Sequence, residues 1–260
     1  MTLLESIILG IVQGATEFLP VSSSGHLVIF QELLGVHTAG VVFEVAVHVA
    51  TLVSILVVYR TRVSRLAVGA LRRDPEALRY VALLAVATVP AAVVGLLAKD
   101  AVEALFESPA AAGVALLVTG VVLWTSRAAM PRATGPIPTW SAALLIGVAQ
   151  AFALVPGISR SGSTVVAALW LGVSTREAAA FSFLMAIPAI AGAAVLQIGD
   201  LGAGSGPGGP ALAFGAAFAA VTGVLAIRTF VSVLAKESFH LFAPYCWIVG
   251  ALFLTYLGMR

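Results

Sequence analysis

Four stretches of this 260-residue chain, at 80–98, 109–126, 178–199 and 241–259, contain no charged side chain. Each approaches or exceeds the roughly 20 apolar residues that carry an α-helix across a bilayer. Inside hydrocarbon the backbone has no water to bond with, so such runs must satisfy their own N–H and C=O groups, as helices do. Charged residues make up 10% of the chain and mean hydropathy is +1.07, where a soluble domain has roughly a quarter charged. A β-barrel would instead show short segments of alternating polarity, and none is present. The chain reads as an all-α, polytopic membrane protein.

The few charges set the topology. A net charge of +2 and a pI near 9.0 suggest nucleic acid at first sight. However, Arg60, Arg62, Arg65, Arg72, Arg73 and Arg79 cluster in one predicted loop, which is the signature of a cytoplasmic segment. No nucleic-acid partner is expected. Glu5 lies in the first apolar segment with no cationic region before it, so a cleaved signal peptide is not expected. The lone Cys246 excludes an intrachain disulfide and a thiolate metal cage, and is expected to pack in the last helix. No Walker A loop, dinucleotide fingerprint or zinc-ligand spacing occurs.

One polar motif occurs twice in this apolar background. Gln13-Gly-Ala-Thr-Glu17-Phe-Leu-Pro-Val-Ser22-Ser23-Ser24-Gly25-His26 is followed by Gln150-Ala-Phe-Ala-Leu-Val-Pro156-Gly-Ile-Ser159-Arg160-Ser161-Gly162-Ser163, with a constant offset of 137. The copies share glutamine, serine and glycine positions and differ in charge: Glu17 and His26 stand in one, Arg160 in the other. Each motif interrupts an apolar segment, predicting two half-helices joined by an irregular tip: 3–18 with 25–34, and 140–154 with 162–171. Irregular backbone at membrane depth is tolerated when it is buried in protein or lines a wet cavity. Both segments therefore read as re-entrant hairpins.

Full spans are predicted near 39–59, 78–98, 109–126, 175–198, 211–234 and 243–257, with a Gly/Pro-rich loop at 202–210. With the 60–79 loop cytoplasmic, 100–107 falls outside and 127–132 inside. The first hairpin then enters from outside and the second from the cytoplasm, with Asp200 and the C-terminus external. The expected fold is six transmembrane helices plus two re-entrant helical hairpins in an inverted-topology repeat. It forms a single integral-membrane domain over 1–260, with repeat 1 at about 1–126 and repeat 2 at about 139–260.

The polar residues have functional and structural readings side by side. Gln13 and Glu17 share a helical face, and a carboxylate in hydrocarbon needs a cation, a metal or hydrogen bonds. Its structural alternative is an ion pair with Arg160. Glu44 and His48 form an i, i+4 pair that could support a metal, orient Glu17 or simply satisfy each other. Ser22, Ser23 and Ser24 can cap the following half-helix or supply a nucleophile, and His26, three residues after Ser23, reads as a general acid or base, a nucleophile itself, or a buried ring. Arg160 stands between Ser159 and Ser161 before a helix start. Its planar fork and the free amides there suit a phosphate or carboxylate, with Gly162, Ser163 and Thr164 completing the turn. Arg176 and Glu177 read as interfacial, and His37, His240 and the scattered tryptophans as structural.

At these residues the chain resembles the undecaprenyl-diphosphate phosphatase, or bacitracin-resistance protein, family of bacteria. The (Glu/Gln)-x-x-x-Glu pattern at Gln13–Glu17 runs into Phe-Leu-Pro-Val-Ser-Ser-Ser-Gly-His at Phe18–His26, and Pro-Gly-x-Ser-Arg-Ser-x-x-Thr is matched by Pro156–Thr164. Phe43-Glu44, length and hydropathy agree, so the resemblance covers essentially the whole chain.

The resemblance implies an enzyme of the plasma (inner) membrane that hydrolyses undecaprenyl diphosphate to undecaprenyl phosphate and inorganic phosphate. It implies recycling of the lipid carrier for peptidoglycan and the cell wall, and bacitracin resistance. It further implies an active site opening to the external (periplasmic) side and a divalent cation, Mg2+ or Ca2+. The implied functional residues are Glu17, Ser23, His26, Ser159, Arg160 and Thr164, with Gln13 in a slot that is otherwise acidic. Substrate contacts are expected from Ser22, Ser24, Gly25 and 159–164, and metal contacts from Glu17 and Gln13, with Glu44 a further candidate. In the expected mechanism Ser23 or a water attacks phosphorus and His26 transfers the proton, while Arg160 steadies the phosphate charge.

Lipid phosphatases with a vanadium-haloperoxidase-like site are excluded, because their Lys-x6-Arg-Pro and His-x3-Asp elements are absent. The rival reading is a secondary transporter or lipid flippase with an inverted-repeat fold. Whether two copies pair as a homodimer is left open.

Overall fold

In the computed structural model, residues 1–35, 40–196 and 208–259 are described. The expectations for His37 and Asp200, and most of the 202–210 loop, fall outside them. Twelve α-helices are present among the described residues: α1 (Leu3–Phe18), α2 (Ser23–Leu34), α3 (Gly40–Val58), α4 (Arg60–Leu71), α5 (Pro75–Leu97), α6 (Lys99–Phe106), α7 (Pro109–Ala129), α8 (Trp140–Phe152), α9 (Arg160–Trp170), α10 (Thr175–Leu196), α11 (Gly209–Ala235) and α12 (Phe242–Gly258). The only β-type pairing among them is an isolated bridge between Gly135 and Val173.

Five helices, α5, α7, α10, α11 and α12, are long and apolar enough to cross a membrane, and α3 joins α4 in a bent pair that makes a sixth. The five helices match five of the expected spans, and the sixth, near 39–59, matches α3, the first arm of the bent pair; the protein is a multi-pass membrane protein. The two half-helix pairs also form, as α1 with α2 and α8 with α9.

Their starts are capped by local chemistry. Thr2 and Glu5 exchange bonds in a capping box at α1, with Thr2 N–H on Glu5 at 2.8 Å. Thr139 accepts the Ala142 N–H at α8. Asp74 and Ser108 do the same for Ala77 and Ala111 in front of Pro75 and Pro109, where proline's missing N–H costs nothing.

Two stretches differ from the sequence reading. The 60–79 segment, expected as a loop, is mostly helical: α4 leaves α3 at 85°. Its arginines alternate with Val63, Leu66 and Val68 at helical spacing, and Val63 and Leu66 pack on the main core while Arg60 and Arg65 are exposed. The periodicity was masked by the arginine density. Likewise 100–107 carries the short α6, with Lys99 and Glu103 paired at i, i+4.

Small residues bring the helices together. Gly10 and Gly14 of α1 abut the backbone at Gly215 and Ala219 of α11, where any Cβ would collide with a carbonyl. The two helices therefore run parallel, joined by a Ser6 hydroxyl bond to the Ala211 carbonyl. Gly147 of α8 packs on Ala87 of α5 and Leu154 lies beside Gly95, so α8 runs parallel to α5. The leading arm of each hairpin thus packs on a helix from the opposite half of the chain. Between α7 and α12, Gly113 meets Leu254 and Gly120 meets Trp247, an antiparallel pair. Glu177 at the start of α10 receives a bidentate pair from Arg62 (2.6 and 2.8 Å), which sits over the Tyr80 ring.

Candidate active site at the hairpin junction

The tips of the two hairpins meet. A methyl added to Gly25 would stand 2.9 Å from the Cα of Gly157, so this approach requires glycine. Hydrogen bonds tie one tip to the other: the Gly157 N–H donates to the Ser24 hydroxyl (3.4 Å), and the Ser161 hydroxyl to the Leu19 carbonyl (3.2 Å). From α7, Thr119 fixes the second tip by donating to the Gly157 carbonyl (2.8 Å) and accepting the Ser159 N–H (3.0 Å).

Each second arm starts two residues before the expected glycine, because Ser22 and Ser159 serve as N-caps. Their hydroxyls accept the N–H groups of Gly25 (3.2 Å) and Gly162 (3.1 Å). Ser23 and Arg160 thereby become the first residues of α2 and α9. The Ser22 backbone is left-handed, with φ 67°, a conformation that costs a non-glycine residue about 1–3 kcal/mol.

Glu17, 8% exposed, is the hub. Its Oε1 accepts from Arg160 Nη2 at 2.5 Å; its Oε2 accepts from Ser23 Oγ at 2.6 Å and from Gln13 Nε2 at 3.0 Å. The Nε2 of His48 stands 3.8 Å from Oε2. The ion-pair alternative for Glu17 and Arg160 is therefore what the geometry contains, and it coexists with the serine bond. Arg160 also donates to the Ser182 carbonyl (3.4 Å), and the hydroxyls of Thr164 and Ser182 lie 2.7 Å apart.

His26 is placed differently from the sequence expectation. Its Nδ1 lies 2.9 Å from the Ser22 carbonyl, which can only accept, so Nδ1 carries the proton. The other nitrogen, Nε2, then accepts from the Tyr245 hydroxyl at 2.8 Å, with the two rings stacked at 5.7 Å. Both ring nitrogens are thus engaged away from Ser23, and the group in reach of the Ser23 proton is Glu17. The Ser22 carbonyl and the Tyr245 hydroxyl hold the His26 ring off Ser23, whereas Glu17 approaches Ser23 from the other arm of the hairpin.

Glu44 accepts from Gln31 at 3.0 Å, and its carbonyl holds His48 Nδ1 at 2.8 Å, which leaves the His48 Nε2 edge toward Glu17. Of the remaining sequence candidates, Ser159, Ser161, Gly162, Ser163 and Thr164 are buried around Arg160, while Ser23 and Ser24 are partly accessible. His240 sits on a 3-10 turn with its ring 5.8 Å from Trp124, and Cys246 is buried in α12, as expected of structural residues.

Four residues absent from the sequence reading of the site join it: Tyr245, Ser182, Thr119 and Gln31. Thr119, Ser182 and Gln31 are ordinary polar residues on apolar helices. The one available signal for Tyr245 was an aromatic hydroxyl in the apolar last span, which needs a partner.

No group of three or more His, Cys, Asp or Glu that could cage a metal occurs among the described residues. Yet the buried Gln13 Oε1 has no hydrogen-bond partner and lies on the side chain bonded to Glu17. One carboxylate and a free amide oxygen form a partial set of hard oxygen donors, the kind Mg2+ or Ca2+ completes with water and phosphate oxygens.

Comparison with known proteins identifies the family. Residues 6–252 match the family profile described as "Bacitracin resistance protein BacA". A protein of Desulfatibacillum aliphaticivorans named "Undecaprenyl-diphosphatase" is 40% identical over 268 residues, covering 95% of this chain and 96% of that protein. Proteins of the same name from Desulfosudis oleivorans and Syntrophotalea carbinolica are 41% identical (99% of each chain) and 42% identical (97% and 98%). With the family profile and the relatives' alignments concordant over nearly its whole length, the chain belongs to the BacA family.

Proposed function

We propose that this protein is an undecaprenyl-diphosphatase of the bacterial inner membrane. It hydrolyses undecaprenyl diphosphate to undecaprenyl phosphate and inorganic phosphate, recycles the lipid carrier for cell-wall synthesis, and so confers bacitracin resistance. The observation that carries the reading is Glu17, held at 2.6 Å from Ser23 and 2.5 Å from Arg160, in a family whose relatives bear that enzyme name.

The diphosphate binds at the hairpin junction. Its charge draws on the Arg160 fork and the first N–H groups of α9, a favourable anion site at a helix start. Arg160 then shares its charge between Glu17 and phosphate. Ser23 attacks the terminal phosphorus and passes its proton to Glu17. The bond from that phosphorus to the bridging oxygen breaks, and undecaprenyl phosphate leaves. Water next cleaves the phosphoserine, releasing inorganic phosphate and restoring the serine. Arg160 steadies charge on the phosphoryl oxygens throughout. His26, its Nδ1–H anchored on Ser22, keeps its Nε2 edge and Tyr245 beside α2's first turn.

Glu17 and Arg160 cancel in charge, so the diphosphate brings net negative charge that a divalent cation would neutralise. Gln13 Oε1 and Glu17 would hold Mg2+ or Ca2+, which when bound polarises the phosphate oxygens. An opening toward the external face is what membership of the family supports.

Phosphate release from undecaprenyl diphosphate by purified protein in proteoliposomes tests the reading, with Mg2+ and Ca2+ titrated in. Release by the parent and its loss in Glu17→Ala are expected. Lipid movement between leaflets without hydrolysis would instead establish the flippase reading.

A further inference from the structure

Residues 60–79 hold six arginines against two acids, Asp74 and Glu76. Arg62 is neutralised by Glu177. Arg60, Arg65, Arg72, Arg73 and Arg79 are exposed, and none forms an ion pair among the described residues. Asp74 is engaged as the N-cap of α5, and Glu76 lies in that helix's first turn. The helix α4, which carries most of this charge, has three distinct faces. One packs inward: Val63 and Leu66 lie on the main core, and Gly69 abuts Ala77 of α5. The opposite face is apolar and bare, with Val68 45% exposed and Leu71 85% exposed. Beside it, Arg65 and Arg72 stand two helical turns apart and form a basic row. The helix leaves α3 at 85°, so with α3 across the bilayer α4 lies along the membrane plane.

We propose that α4 is an interfacial helix that binds the headgroups of anionic phospholipids at the membrane surface along which it lies. An in-plane helix with an apolar stripe and neighbouring arginines suits that boundary: aliphatic side chains dip among acyl carbons while guanidiniums stay with the phosphates. The arginines do not serve α4 itself. Arg72 and Arg73 suit the negative end of the helix dipole, but Arg65 is mid-helix and Arg60 stands at the positive end, where a cation is disfavoured. Their unpaired forks call for an anion from outside the chain, and phosphate matches the fork. A zwitterionic headgroup offers phosphate with an ammonium that cancels it, so net negative lipids are preferred. An acidic protein would meet the arginines but leave Val68 and Leu71 without an apolar neighbour. Each arginine held near an anionic surface strengthens the attraction about fivefold, and salt screens it. The bound lipids hold α4 at a fixed depth, and through Arg62 the start of α10 with it.

The experiment places the full chain in phosphatidylcholine vesicles with a trace of phosphatidylglycerol bearing a diazirine at the glycerol end of one acyl chain. A parallel sample carries the matching diazirine phosphatidylcholine. The anionic probe should label residues 60–73 about fivefold or more over the zwitterionic one at low salt. That excess should vanish in about 1 M NaCl, where the Debye length is about 3 Å. It should also vanish in the double variant Arg60→Gln with Arg65→Gln, whose helicity by circular dichroism stays parental. Lys236→Gln, which removes an exposed charge beyond α11, should leave it unchanged. Equal labelling of α4 by both probes would overturn the proposal, as would an excess that survives the double variant. Absence of label from 60–73 with either probe would overturn it too and point to an acidic protein or water on this face. Should the double variant fail to fold, the salt titration of the parent decides, and an excess indifferent to salt refutes the headgroup contact.

Discussion

The two hairpin tips share a scaffold and divide the chemistry. At the offset of 137, Ser22 matches Ser159 and Gly25 matches Gly162, and both serines cap the glycine N–H three residues on. The next matched position is Ser23 in one tip and Arg160 in the other, each the first residue of its helix. Both reach Glu17, one on each carboxylate oxygen. Glu17 itself has Leu154 as its counterpart, so the second tip carries no acid there. Gln13 and Gln150 match in identity, yet Gln13 bonds to Glu17 while both polar atoms of the buried Gln150 have no hydrogen-bond partner. Duplication supplied two helix starts aimed at one point, and divergence at two matched positions made an acid, a hydroxyl and a guanidinium converge there.

That division can be broken from either tip. Glu17→Gln keeps the shape but removes both the proton acceptor and the counter-charge of Arg160. Phosphate release should fall by about a thousandfold or more, and a variant within tenfold of the parent would show that the first tip does not hold the acid–base chemistry.

On the second tip, Gly157 has φ 96°, and a Cβ there would strike the Ala112 carbonyl. Gly157→Ala should cost about 3 kcal/mol of stability, read as a lowered unfolding midpoint in detergent. Arg160→Lys retains charge without the fork and should lose about a hundredfold in kcat/KM; near-normal turnover would remove Arg160 from phosphate recognition. Gln13→Glu sharpens the comparison further. It puts a second acid in the first tip, and the half-saturating Mg2+ concentration should fall about tenfold, measured by titrating phosphate release. The smallest effect is expected of Tyr245→Phe, which removes one neutral hydrogen bond to His26: a three- to tenfold fall in kcat with an intact fold by circular dichroism.

Much of this was legible in the residues. Uncharged runs of bilayer length located four of the spans, and Pro, Ser and Gly within otherwise apolar segments marked both half-helix pairs, because a broken helix needs caps. Glu17 and Arg160 stood out since lone charges in hydrocarbon demand partners. Two things were hidden. The helix α4 was obscured because arginine density signals side of the membrane more strongly than it signals secondary structure. The partner of Ser23 was misassigned to His26 because sequence proximity within one helix cannot reveal that the hairpin folds Glu17 back over α2. Tyr245, 219 positions from His26, has no local signal at all.

The Glu17–Arg160 bond also sets a timetable for biogenesis. The two residues are 143 apart in sequence. At about 5–20 residues per second of synthesis, Glu17 emerges about 7 to 29 seconds before the guanidinium that pairs with it. Its packing partner α11, against which Gly10 and Gly14 close, follows later still. During that interval the first hairpin carries a carboxylate with no arginine and a glycine face with no helix on it. A bare acid in hydrocarbon is costly, so the hairpin must wait protonated or at the membrane surface until the second half of the chain arrives. The enzyme's active site and its final insertion step are then the same event.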